Sequence, residues 1–467
     1  MASSAPPPEP AAPAGRRKLA LVAEQFVPPV NDGSTYVYKG WIDFLADRYE
    51  LYAILFASRP GETAQAERYL AARCAAYLIL PGPPVSRLWK VVRAAARMVS
   101  GTLLAPRWIE ELGRARIHRT IADFVAAHRI DLFMISKLAC VPLFGERNIR
   151  RMSAAFLLDM HDDFILRDVQ ERAVLARLLT AFPALRAYPK YRDMRLRQSL
   201  SRLSRERARR QEQRLYRYFR CLLTSSPDED RFYRAACGRR VACEFVGWPP
   251  QLSQSEIAAQ RVGPSFDAGF LGGDFPFNLE AVLFFCADIL PLIHRRRPTF
   301  RVLIAGQVTA PLALIARNWP GVELWGYIAR ADEFYGSVRL CIAPMLSGTG
   351  TSIKTLEALE AGRPVVATRV GARGIAAGRA GLVIADAPEE FASRLVAQNW
   401  AAPTATAVSP PGAGAFQSLF DDVLRRHAGT PRDRITSHRQ CSGRFSRQAD
   451  DDAGAARWHR NKGGEAP

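Results

Sequence analysis

The chain has 467 residues, 48% of them hydrophobic, which leaves room for two or three domains with real cores. It carries a formal net charge of +20, and thirteen basic against three acidic residues fall between Pro183 and Arg220, so half of the excess sits in one 38-residue arm. The eight cysteines (74, 140, 221, 237, 243, 286, 341, 441) form no C-x-x-C pair and no metal-ligand spacing, which argues for buried, reduced thiols in a cytosolic protein. No run of 18 apolar residues suggests a membrane span.

Residues 1–15 are Ala/Pro-rich and read as disordered. Arg16-Arg17-Lys18 precedes an apolar run, but Glu24 interrupts it and no cleavage-like site follows, so a signal peptide is not expected. Leu19–Ala23, Leu51–Phe56, Ala76–Leu80, Asp131–Ser136 and Ala154–Met160 have the length and apolar character of buried strands. Amphipathic stretches such as Val37–Ala46 and Ile117–His128 lie between them, which predicts βαβ units and a parallel sheet. Helical basic insertions, Pro84–Leu112 and the arm after Arg167, break this rhythm. Trp248-Pro249-Pro250 marks a boundary between a first domain, 16–248, and a second, 249–400. The second repeats the alternation: strands at Ala268–Leu271, Arg301–Ala305, Val322–Leu324, Leu340–Ala343, Pro364–Thr368 and Gly381–Ile384, and a helix over Asn278–His294. Residues 401–467 form a Pro/Gly-rich, then basic, tail with one helix at 416–427 and expected disorder beyond Gly429.

The stretch from Ser347 to Thr368, SGTGTSIKTLEALEAGRPVVAT, reads as a glycine loop, a short helix and a buried strand. Gly348 and Gly350 let backbone N–H groups approach an anion, and Thr351 or Ser352 can cap the helix behind them. The helix N-terminus adds a positive dipole end aimed at the same place. Lys354 and Glu357 are three apart and share one face, while Gly362 and Pro364 close the helix. A diphosphate with a ribose beside it suits this arrangement.

The same run, with Gly371 beyond it, resembles the donor-binding segment of retaining, GT-B-type glycosyltransferases of the family 4 class. That resemblance implies an α/β GT-B fold, two doubly wound Rossmann-like domains facing a cleft. It extends to Phe270–Asn278, where Gly272 and Gly273 would leave room for donor phosphates and an aromatic-Pro-x-Asn pattern opens a helix. It also covers the acceptor-side loop around Gly33, and His161 with Asp162, the pair that family members set beside the transferred sugar. Two departures stand out. No Lys or Arg occurs from Val262 through His294, where many relatives hold the diphosphate, and Thr349 stands where a first glutamate is common.

The implied protein is a cytosolic, retaining, metal-independent glycosyltransferase of hexosyltransferase type. Lys354, Glu357, His161 and Asp162 would be catalytic, and Gly33, Gly272, Gly273, Gly348, Thr349, Gly350, Thr351 and Ser352 would bind the nucleotide-sugar. No metal site or cofactor is expected, since no Asp-x-Asp metal pair is evident. The acceptor would be lipid-linked, a polysaccharide or another glycan, and the basic arm at 183–220 suits an anionic membrane surface on the inner leaflet. Two rivals are a GT-B scaffold that binds a nucleotide-sugar or glycan without turnover, and a basic nucleic-acid-binding protein, for which no RNA or zinc motif speaks.

Overall fold

The computed structural model describes residues 16–24, 33–57, 63–81, 114–160, 164–201, 205–238, 241–249, 265–315, 319–328, 330–376, 378–397 and 413–428. The Pro84–Leu112 insertion, the first fifteen residues and the tail beyond 428 lie outside that set.

Seven strands form the first sheet: β1 (Lys18–Glu24), β2 (Glu50–Ala57), β3 (Ala76–Pro81), β4 (Leu132–Ser136), β5 (Ala155–Asp159), β6 (Cys221–Thr224) and β7 (Ala242–Phe245). They run parallel in the order β3-β2-β1-β4-β5-β6-β7. β1 shows why an unbroken apolar run suits this place. Leu19, Leu21 and Ala23 enter one core cluster while Ala20 and Val22 enter another, so both faces are covered. The second sheet contains β8 (Phe266–Leu271), β9 (Val302–Ala305), β10 (Val322–Trp325), β11 (Val338–Ala343), β12 (Val365–Ala367) and β13 (Leu382–Ile384), parallel in the order β10-β9-β8-β11-β12-β13. Both halves therefore have the expected doubly wound α/β architecture. Strand order reverses between β1 and β4 and between β8 and β11, where such sheets open a crevice at their carboxyl ends.

Sequence patterning did not indicate β6 and β7. Each is four residues long, and β6 directly follows the basic arm, so neither offers enough periodicity to stand out.

The arm between β5 and β6 begins with the helix Phe164–Ala181, passes through a 3₁₀ turn at Pro183–Ala187 and continues as the helix Pro189–Ser201. It leaves and re-enters the first sheet, yet its apolar residues Val174, Leu175, Leu178, Leu185 and Tyr191 belong to the core of the second. There they join the helix Pro276–Phe284, which continues through a π turn at Phe285–Ile289 into Leu290–Arg296. Pro291 has no N–H to donate and its ring crowds the carbonyl one turn back, so the backbone widens just before it. This long helix is apolar enough to cross a membrane by composition, but 72% of the stretch is buried inside the protein.

The last described helix, Ala413–Ala428, returns to the first sheet. Phe420 is fully buried, 5.3 Å from the Trp41 ring centroid and 5.6 Å from that of Phe44, both on the helix Gly33–Ala46. Arg17 donates to the Ala428 carbonyl at 2.5 Å, satisfying an acceptor at the helix C-terminus. Phe420→Ala should cost about 3–5 kcal/mol of stability by leaving a cavity among these aromatics. Urea unfolding followed by tryptophan fluorescence measures it, and an unchanged midpoint would show that this helix does not belong to the cooperative core.

Candidate functional site

The two central strands of the second sheet, β8 and β11, end in the loops carrying Gly272-Gly273-Asp274 and Ser347–Ser352, so the switch point brings these segments together. Gly350 takes a left-handed φ of +65°, which favours glycine. A third segment closes over the end of β11. A Cβ on Gly371 would lie 2.0 Å from the Ala343 carbonyl oxygen, so only glycine allows the Thr368–Arg373 turn to come this near. The Thr368 hydroxyl ties the turn down, donating to Met345 O at 2.6 Å and accepting from Gly371 N–H at 3.0 Å.

The helix after the glycine loop is Ile353–Glu360. Neither Thr351 nor Ser352 caps it through its side chain as the sequence suggested. Both hydroxyls are buried and engaged elsewhere: Thr351 Oγ1 donates across to Ser225 O at 2.5 Å, and Ser352 Oγ lies 3.0 Å from Thr355 Oγ1 in the helix itself. The Ser352 carbonyl instead receives the N–H groups of Thr355 and Leu356.

Lys354 and Glu357 occupy the face expected of them, but each has a protein partner. The Lys354 ammonium donates to Asn278 Oδ1, sits 3.4 Å from Met345 Sδ and lies 4.6 Å from the Phe270 ring centroid. Asn278 Nδ2 in turn donates to Gly273 O at 2.9 Å, so the Phe275-Pro276-Phe277-Asn278 pattern fixes both the lysine and the loop after β8. Glu357 hydrogen-bonds the buried Tyr335 hydroxyl. Lys354 is half-buried as a residue, and its charged end is packed among Phe270, Met345 and Asn278. Burial, and then the neighbouring Arg373 charge, lower its pKa to about 7. Burial raises the Glu357 carboxyl to about 7, against the opposing bond from Tyr335.

Several residues of this site were not singled out in the sequence. Glu280, 2% exposed, accepts from Arg177 Nη2 at 2.6 Å and from the Ser347 hydroxyl, which links the arm to the glycine loop. Gln170, on the same arm helix as Arg177, accepts from Gly348 N–H at 3.1 Å. Tyr188 donates to Asp274 at 2.7 Å, and Lys190 pairs with the same carboxylate. Arg373 donates to Thr349 O at 3.0 Å and Val370 O at 2.7 Å, folded against Gly348. The sequence signal for Glu280 was its place two residues beyond Asn278 on one helix, but its partners lie more than 60 residues away.

From the first sheet, Gly33 opens the helix Gly33–Ala46, whose Tyr36 hydroxyl donates to Glu360 at the end of the Ile353–Glu360 helix. His161 and Asp162 lie outside the described residues, directly after β5 and Met160. Among the described residues, no group of three His, Cys, Asp or Glu could hold a metal ion.

Residues 266–398 match the family described as glycosyl transferases group 1. Among solved structures, sucrose-phosphate synthase from Thermosynechococcus elongatus aligns with a TM-score of 0.53 at 13% identity, covering 88% of this chain and 99% of its own. Anabaena HepE in complex with UDP-glucose aligns with a TM-score of 0.51 at 15% identity, covering 87% of this chain and 99% of its own. No curated protein gave a significant match.

The lowered Lys354 pKa has a measurable consequence. A lysine with a folded pKa of about 7 is mostly neutral at pH 8, and a bound anion beside it favours the charged form. Pyrophosphate binding should therefore take up a proton at pH 8, and affinity should fall as pH rises from about 7 to 9. Calorimetry in two buffers of different ionisation enthalpy reads the uptake, which Lys354→Met should abolish. The same uptake in wild type and variant would remove Lys354 from the anion site.

Proposed function

We infer a glycosyltransferase that takes its sugar from a nucleotide-sugar, from the match of residues 266–398 to the glycosyl transferases group 1 family on a chain of GT-B fold. The observation that carries this reading is the meeting of the Gly348–Gly350 loop, Lys354 and Glu357 at the crevice between β8 and β11. The donor class also accords with HepE, a protein of the same fold whose structure holds UDP-glucose.

In this reading the diphosphate lies over the glycine loop, where N–H groups, the dipole of the Ile353–Glu360 helix and Lys354 meet its negative charge. Glu357 accepts hydrogen bonds from ribose hydroxyls. His161 and Asp162 are assigned to the transferred sugar by the sequence resemblance. The acceptor hydroxyl attacks the anomeric carbon on the face from which the diphosphate departs. The bond from that carbon to the diphosphate oxygen breaks, and a phosphate oxygen takes the acceptor proton, so configuration is retained without a protein nucleophile. The leaving charge is met by protein groups alone, so the reaction is proposed to run without a metal ion.

Donor binding without turnover is a second reading, favoured by Gln170 accepting from Gly348 N–H, since a side chain of the protein already fills that donor's direction. Incubating purified protein with a panel of nucleotide-sugars and measuring transfer or donor hydrolysis separates the two. Activity should survive EDTA, and Lys354→Met and Glu357→Gln should each weaken donor binding about tenfold or more, as charge-assisted contacts are worth about 1.5–3 kcal/mol. Folded variants with wild-type donor affinity would sink the assignment.

For the acceptor, we propose a lipid-linked or polysaccharide chain met at the cytoplasmic leaflet, as in polysaccharide biosynthesis. Support comes from the +10 arm, whose apolar side is buried while Arg186, Arg192 and Arg195 are exposed. Co-sedimentation should show binding to anionic vesicles that weakens with salt and with Arg186, Arg192 and Arg195 changed together to Gln. Equal recovery with neutral vesicles would point to a soluble acceptor.

A further inference from the structure

We propose that Arg373 is the second cation of the diphosphate subsite, supplying from the turn after β12 the positive charge that the loop after β8 lacks. This rests on the glycosyltransferase reading above. No Lys or Arg occurs from Val262 through His294, so the Gly272-Gly273 loop brings no cation of its own. Arg373 stands instead on the turn after β12, against the glycine loop. Its Nε donates to Thr349 O at 3.0 Å and its Nη1 to Val370 O at 2.7 Å, which pins a half-buried guanidinium against the glycine loop.

A further observation sets the cation on the glycine loop. The space above Gly348 is occupied by the guanidinium: a Cβ there would stand 2.7 Å from Arg373 Cζ, so glycine at 348 lets the cation lie directly on the loop. Arg373 also sits near enough to Lys354 for its charge to contribute to the lysine's lowered pKa, after burial. Two cations brought together repel, and a diphosphate between them relieves that repulsion while meeting the fork of the guanidinium.

Arg373 also braces two carbonyls, so the test must separate a phosphate contact from a loop brace. Calorimetric titration of wild type, Arg373→Gln and Arg373→Lys with uridine, guanosine, adenosine and thymidine diphosphates, and with the parent nucleosides, does so. The expected result is a tenfold or greater loss of diphosphate affinity in Arg373→Gln, a smaller loss in Arg373→Lys, unchanged nucleoside affinity, and a shallower salt dependence. Equal losses for nucleoside and diphosphate would make Arg373 a brace only and overturn the inference, as would an unchanged diphosphate affinity in a folded variant. Both results leave the glycosyltransferase reading standing. A folded wild-type protein that binds none of the four diphosphates overturns that reading and the inference with it.

Discussion

A carboxylate at 2% exposure must find its hydrogen-bonding partners within the protein, and Glu280 has them on two distant segments. Arg177 reaches it from the arm and Ser347 from the glycine loop. Removing either would leave buried charge under-satisfied, so the helix Pro276–Phe284, the arm and the loop after β11 are constrained to meet. The apolar contacts act in the same direction. Val174, Leu175, Leu178, Leu185 and Tyr191 are buried in the core of the second sheet although their chain belongs between two strands of the first. An arm that reads as a charged insertion is thereby also a strap across the two sheets, and its helix Phe164–Ala181 delivers Gln170 to the glycine loop.

The crevice inherits its order from these ties. Asn278 holds the Lys354 ammonium and the Gly273 carbonyl together, while Thr351 reaches across to Ser225 after β6. Tyr36 meets Glu360 at the other end of the Ile353–Glu360 helix. Leu356, on the same helix, is buried with the first sheet's aromatic cluster. The helix behind the glycine loop is thus held at several points by the opposite sheet, which suits a site whose backbone N–H groups must keep their aim.

The electrostatics follow from this close packing. Lys354 and Glu357 are driven toward neutrality from opposite sides, each to about 7, chiefly because protein replaces water around them. Glu357 contributes stability that is full below 4.5 and is lost as pH rises from there through about 7. Lys354 costs stability on the acid side of the same range, a cost that lifts as pH rises toward 10.5. A bound anion changes the balance most at the lysine, where a new negative charge offsets the desolvation.

What the sequence determined by itself was local in origin. Continuous apolar runs such as Leu19–Ala23 and Val365-Val366 can be satisfied only when buried on both faces, so parallel strands were legible. Gly348, Gly350, Lys354 and Glu357 lie within ten residues of one another, and their spacing alone placed them on one loop and one helix face. The close approach behind Gly371 became physical only once the Ala343 carbonyl was beside it. Tertiary structure alone decided the rest. That the Thr351 hydroxyl reaches Ser225 rather than the helix end, that Glu280 joins Arg177 to Ser347, and that Arg373 lies on Gly348 all depend on partners supplied by the folding of separate segments. Spacing along the chain reports which residues share a turn of helix; it carries no record of which buried charge will find which partner once the two sheets meet.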